Sequence, residues 1–212
     1  MNRQQLMLAA LFTGSGAALL VYILSGISLL ATFFVTVLGA VLIGSLIWRK
    51  ATDHKRKSLK ALVKVGLLSG VLATLAYDLS RYLLVTLTPM TVWPFEAFMV
   101  FGQAFVGEEV RGPGIFMLGT VYHVINGLTF AIAYAIAFAR KGIWAGLTWA
   151  LLLEALMLTV YPGWLRIDQI GQFVGMSIFG HVFYGLVLGV AAQRLIIRYE
   201  GGKYGGKTGI QA

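Results

Sequence analysis

The chain of 212 residues is 58% hydrophobic and only 12% charged, has a formal net charge of +9 and contains no cysteine. A soluble domain is nearer half apolar and a quarter charged, so this composition excludes water as the solvent for most of the folded surface. The missing thiols exclude disulfides, thiolate metal sites, iron–sulfur clusters and cysteine nucleophiles.

Each helical crossing of a bilayer takes roughly 20 apolar residues, which predicts one membrane domain over 1–212 with no separate soluble part. Two apolar runs come first, 6–24 and 27–48, with no charged residue between Arg3 and Arg49. Residues 1–48 read as two accessory spans that buttress the remainder or meet a second copy through Gly14, Gly16 and Gly39. Arg3 ahead of an apolar run also has the outline of a secretory signal. The run is long, lacks a small-x-small cleavage site and leads at once into a second span, so it is read as an anchor.

The stretch 49–60 carries six Lys or Arg, the mark of a cytoplasmic loop. Further spans are predicted at 65–87, 115–138, 143–162 and 173–195, with Ala139-Arg140-Lys141-Gly142 as a turn and 199–212 as a cytoplasmic tail. Of the 17 basic residues, all but Arg81, Arg111 and Arg166 then lie on one side. The expectation is an all-α, multi-pass bundle of six transmembrane helices in a cell's inner or plasma membrane, N-in and C-in. The basic charge is used up as a topology signal, so no nucleic-acid partner is expected; the partners are the bilayer and a homo-oligomer or larger membrane complex. The long connection 88–114 holds the aromatic segment 93–105, too short to cross, with Pro94 suited to a first helical turn. It predicts an outer interfacial helix, the alternative being a re-entrant segment or a lid over a site.

Spans three and five share a pattern. Gly66, Gly70 and Asp78 recur as Gly142, Gly146 and Glu154, shifted by 76 positions, and His123-Val124-Ile125-Asn126-Gly127-Leu128 recurs as His181-Val182-Phe183-Tyr184-Gly185-Leu186, shifted by 58. The two shifts differ by about the excess length of 88–114. They predict a tandem repeat of two hairpins, 61–138 and 142–198, parallel in topology and related by a pseudo-two-fold axis along the membrane normal.

On a helix, positions three and four apart share a face. Gly66, Ser69, Gly70, Ala73, Thr74, Tyr77, Asp78 and Arg81 form one stripe of span three, and leucines cover its other faces, so the small and polar stripe is expected to face protein. Counting a rise of about 1.5 Å per residue puts Asp78, Glu154, His123 and His181 near the midplane. Ionisable residues there cost at least about 2.5 kcal/mol each and mark a functional interior.

The first functional expectation is binding or translocation of a proton or small cation between the repeats, with Asp78, Arg81, Asn126, Glu154 and Tyr184 on the pathway. His123, His181, Asp78 and Glu154 also make a candidate four-ligand site for a divalent metal ion. The second is a haem b subunit of a redox complex, with His123 and His181 as axial ligands and Gly127 and Gly185 admitting the porphyrin. The third is an accessory or structural subunit without a site. Motifs such as G-x-S-x-G, H-E-x-x-H and the phosphate-binding loop are absent, and no catalytic residue is assigned.

Overall fold

A computed structural model describes residues 3 to 204, all helices and connections, with no strand among them. Of the predicted tail 199–212, residues to Tyr204 extend the last helix and the rest lie outside the described residues. Four of the helices are long and apolar enough to cross a membrane, and a fifth crossing is supplied if the bent N-terminal pair is one span.

That pair is α1 (Arg3–Leu11) and α2 (Gly14–Ser25), which meet at 59°. The single run predicted over 6–24 bends because Phe12 and Thr13 hydrogen-bond back only three residues, to Ala9 and Ala10, and the Thr13 hydroxyl donates to the Ala10 carbonyl at 2.8 Å. Helix α2 closes on Gly26, whose φ of 72° suits a residue without Cβ. Helix α3 (Leu29–Lys50) follows, tied to α2 by Thr32, whose hydroxyl donates to the Ala18 carbonyl at 3.2 Å. Leu29 and Thr32 alone on α3 are buried. Its other faces, with Phe34, Val35 and Leu38 exposed, suit contact with lipid. Gly14 and Gly16 face Thr36 and Phe130 inside the fold, whereas Gly39 faces open space.

Helix α4 (Asp53–Leu87) starts in the basic loop, where the Thr52 hydroxyl accepts from the Lys55 N–H. Its small stripe is buried from Gly66 to Tyr77 and its leucines point outward, with Leu68, Leu72, Leu75 and Leu79 each more than half exposed. Helix α5 (Glu96–Val106) precedes α6 (Pro113–Phe138) and lies against it. The contact is backbone to backbone: a Cβ on Gly119 would stand 1.7 Å from the Phe98 carbonyl oxygen, and one on Gly102 would stand 2.0 Å from that of Ile115. The aromatic segment is therefore seated closely against α6.

After a turn in which Gly142 takes φ 76°, helix α7 (Ile143–Leu158) runs for 16 residues. At about 1.5 Å per residue it is some 24 Å long, short of a hydrocarbon core of about 30 Å. The predicted span 143–162 breaks because Pro162 has no N–H and its ring would clash with the carbonyl of Leu158, four residues back, where α7 stops. A short helix α8 (Tyr161–Leu165) carries that proline in its first turn, and α9 (Ile170–Tyr204) completes the chain.

Helix α4 packs along both α6 and α9, and α9 packs along α7. The α7–α9 crossing is the tightest: a Cβ on Gly146 would meet the Gly185 carbonyl at 2.3 Å and the Gly189 nitrogen at 2.6 Å. Backbone cannot yield there as a side chain can. Gly146→Ala is expected to cost about 1–3 kcal/mol by overpacking, read as a lower melting temperature in detergent, whereas Gly39→Ala should leave it unchanged.

Candidate functional site

The interior stripes meet in the middle of the bundle, where each predicted acid finds a predicted histidine. Asp78 on α4 faces His123 on α6, whose Nε2 lies 3.1 and 3.3 Å from the two carboxylate oxygens. Glu154 on α7 faces His181 on α9, with Nδ1 3.0 Å from Oε2. The second pair is the deeper: Glu154 is 3% and His181 8% exposed. Asp78 thus pairs with His123 and not with Arg81 three residues on.

The crossings that permit these pairs correspond. Gly70 faces Leu128 and Ala131, and Gly146, 76 positions on, faces Gly185 and Gly189. Gly127 faces Thr74, and Gly185, 58 positions on, faces Ala150, the counterpart of Thr74. In both hairpins the small residues bring two helices close enough for a short carboxylate to reach an imidazole.

Tyr77 connects the pairs. Its ring centroid is 5.5 Å from that of His123 and 4.9 Å from that of His181, and its hydroxyl shares a hydrogen bond of 3.4 Å with Ser177 Oγ. His181 Nδ1 also faces the Ser177 carbonyl at 3.0 Å. A nitrogen that faces a carbonyl and a carboxylate acts as the ring's donor in this arrangement, which leaves Nε2 as the open position of this imidazole. For His123, whose Nε2 faces the carboxylate, that position is Nδ1.

A cavity with about 90 Å³ open to the centres of water molecules lies among these groups. A cavity needs only about 10–15 Å³ on this measure to hold one water, so this one has room for several. It occupies the gap between α6 and α7, which meet chiefly at the rings of Tyr134, Phe138 and Trp149 near their connecting turn. Helices α5 and α8 close it with Ala97, Phe98, Phe101 and Tyr161, and the Phe98 ring lies 4.6 Å from His123. The 93–105 segment thus borders the cavity. At the start of α5, burial and then the negative charge of Asp168 raise the Glu96 carboxyl above its ordinary range.

The remaining predicted pathway residues also border the cavity. Arg81 is 2% exposed. The Tyr184 hydroxyl donates to the Gly127 carbonyl at 2.7 Å and so ties α9 to α6. Asn126 Oδ1, Thr74 Oγ1 and Glu154 Oε1 are buried without a hydrogen-bond partner in the fold, which suits a wet cavity. Sequence reasoning placed Tyr77 on the interior stripe of α4 but gave neither it nor Ser177 a role in the site. Their direct contact with the imidazoles depends on the crossing of α4 and α9, which no single stripe reveals.

One expectation is corrected. The four-ligand metal site is not formed: the acids and histidines make two separate pairs, and among the described residues no group of three or more His, Asp or Glu is placed to hold a metal ion. The Tyr77 ring lies between His123 and His181, the two histidines expected to share a haem, and each imidazole gives one nitrogen to a carboxylate, as metal-ligating histidines also commonly do. Gly127 and Gly185 are filled from the neighbouring helices, with Thr74 Oγ1 2.2 Å from the place of the first Cβ and the Gly146 carbonyl 2.7 Å from that of the second.

Removing one member of a buried pair strands the other, at a cost of about 3–5 kcal/mol. Glu154→Ala is expected to lower the melting temperature in detergent far more than Glu154→Gln, whose amide still accepts from His181 Nδ1. Comparison with protein-family models, with curated proteins and with solved structures found no match.

Proposed function

We propose that the chain is a six-span membrane protein, N-in and C-in in a cell's inner or plasma membrane, that moves or stores a proton at the paired carboxylates and imidazoles. The single observation behind this reading is the arrangement of Asp78–His123 and Glu154–His181 about Tyr77 and one cavity. A pair that carries one proton has no net charge, whichever partner holds it, and so avoids most of the cost of a charge at that depth. A proton arriving at His181 Nε2 makes an imidazolium. The imidazolium can then pass its Nδ1 proton to Glu154, and the ring is left neutral. The same exchange runs at His123 from Nδ1 to Nε2 and Asp78. Water in the cavity and the Tyr77 and Ser177 hydroxyls offer donors and acceptors between the pairs.

Tandem duplication is supported by the corresponding pairs and glycine contacts of the α4–α6 and α7–α9 hairpins. The symmetry is incomplete, because α4 packs along α9 while α6 stands off from α7; the cavity occupies that gap. Pro162 requires the fifth span to be completed by the α8 segment after the break. The basic residues of α3, α4 and the 139–142 turn support the orientation. A metal ion as the transported species has less support than a proton, since among the described residues no third ligand joins either pair.

In proteoliposomes, Asp78→Asn and Glu154→Gln are each expected to reduce proton flux at least about tenfold, with melting temperatures close to the parent. Unchanged flux in both contradicts the relay. Lower thermal stability with unchanged flux favours an accessory subunit instead.

A further inference from the structure

The proton reading leaves Arg81 without a task. Its guanidinium lies over the rings of Tyr77 and Phe173, at 4.9 and 5.7 Å from their centroids. Its stem fits beside Gly180, where a Cβ would stand 2.9 Å from Cγ. Ring faces attract a cation but offer no lone pair to N–H groups in the guanidinium plane. Nε and Nη2 are buried and have no hydrogen-bond partner, and Asp78, the nearest acid in sequence, is occupied by His123.

A buried guanidinium with two unfilled donors, on a residue that lines a cavity, is a candidate site for an anion, and its planar fork matches a carboxylate. The rest of the lining gives the size and polarity of what the anion is attached to. In the second hairpin the counterparts of Tyr77 and Arg81 are Leu153 and Met157, which line the same cavity with Phe98 and Phe173. The duplicated frame therefore carries its guanidinium once and is apolar at the matching position. Glu154 also borders the cavity but is paired with His181, whereas Arg81 has no ion-pair partner among the described residues.

We infer that this cavity binds a small organic monocarboxylate, its carboxylate on Nε and Nη2 of Arg81 and its apolar body against Leu153, Met157 and Phe98. The inference rests on the cavity being the working site, and it gives the proton a companion: an anion and a proton entering together add no net charge to the membrane interior.

The test uses the full chain in detergent with benzoate and with benzamide, its uncharged analogue of nearly the same shape. Benzoate is expected to raise the melting temperature saturably and benzamide is not. Arg81→Gln should weaken benzoate binding about tenfold or more, the loss of a charge-assisted pair, and Arg81→Lys should restore part of it. Equal shifts with both probes, no shift with either, or an unaltered benzoate affinity in Arg81→Gln would overturn the proposal. If Arg81→Gln does not fold, the two probes on the parent chain still decide. Binding is read without any flux. Arg81-dependent benzoate binding with no proton flux removes the relay and leaves the anion site, and flux without benzoate binding does the opposite.

Discussion

The fold turns on the cost of placing ionisable groups in an apolar medium. Asp78, Arg81, His123, Glu154 and His181 lie inside a bundle whose outer surface is leucine, valine and phenylalanine. A lone charge there is expensive by several kcal/mol, and two carboxylates are tolerated because each has an imidazole within about 3 Å. Such short reaches need helices that nearly touch. Gly70 and Gly127 supply that closeness to α4 and α6, and Gly146, Gly185 and Gly189 supply it to α7 and α9. The chemistry of the interior and the small-residue stripes are thus one constraint seen twice.

Where the helices are held apart, the structure gains its cavity. Helices α6 and α7 separate beyond their connecting turn, and the gap is covered by the two elements that interrupt a regular hairpin: the α5 insertion and the α8 segment after Pro162. Both bring aromatic rings over the paired groups, and Phe98 rests on His123 itself. A polar interior under an apolar cover leaves room for several water molecules. Arg81 is the exception to the pairing rule, with two buried donors unfilled.

Much of this was legible from residue order. Composition marks the apolar helices, the three- and four-residue spacing separates the interior stripe of α4 from its leucines, and the recurrence of acid and histidine points to the groups that meet. The unread parts have local causes. The bend at Phe12 and Thr13 depends on backbone bonds to Ala9 and Ala10, while a hydropathy run registers only apolarity. Pro162 was passed over because it ends an apolar stretch that is long enough by count. The seating of α5 relies on Gly102 and Gly119 meeting backbone across 17 positions. The four-ligand metal site does not form because a shared depth is not a shared point, and the two hairpins keep their acids and histidines in separate pairs.

The most direct test of the central claim is an infrared difference spectrum of the chain in a lipid bilayer as pH is stepped across the histidine range. Two protonatable pairs predict carboxyl C=O bands that respond to pH, one removed by Glu154→Gln and the other by Asp78→Asn, each displaced when its own histidine is replaced. Carboxyl bands that ignore His123 and His181, or that change alike for either histidine, would contradict the pairing on which the account depends.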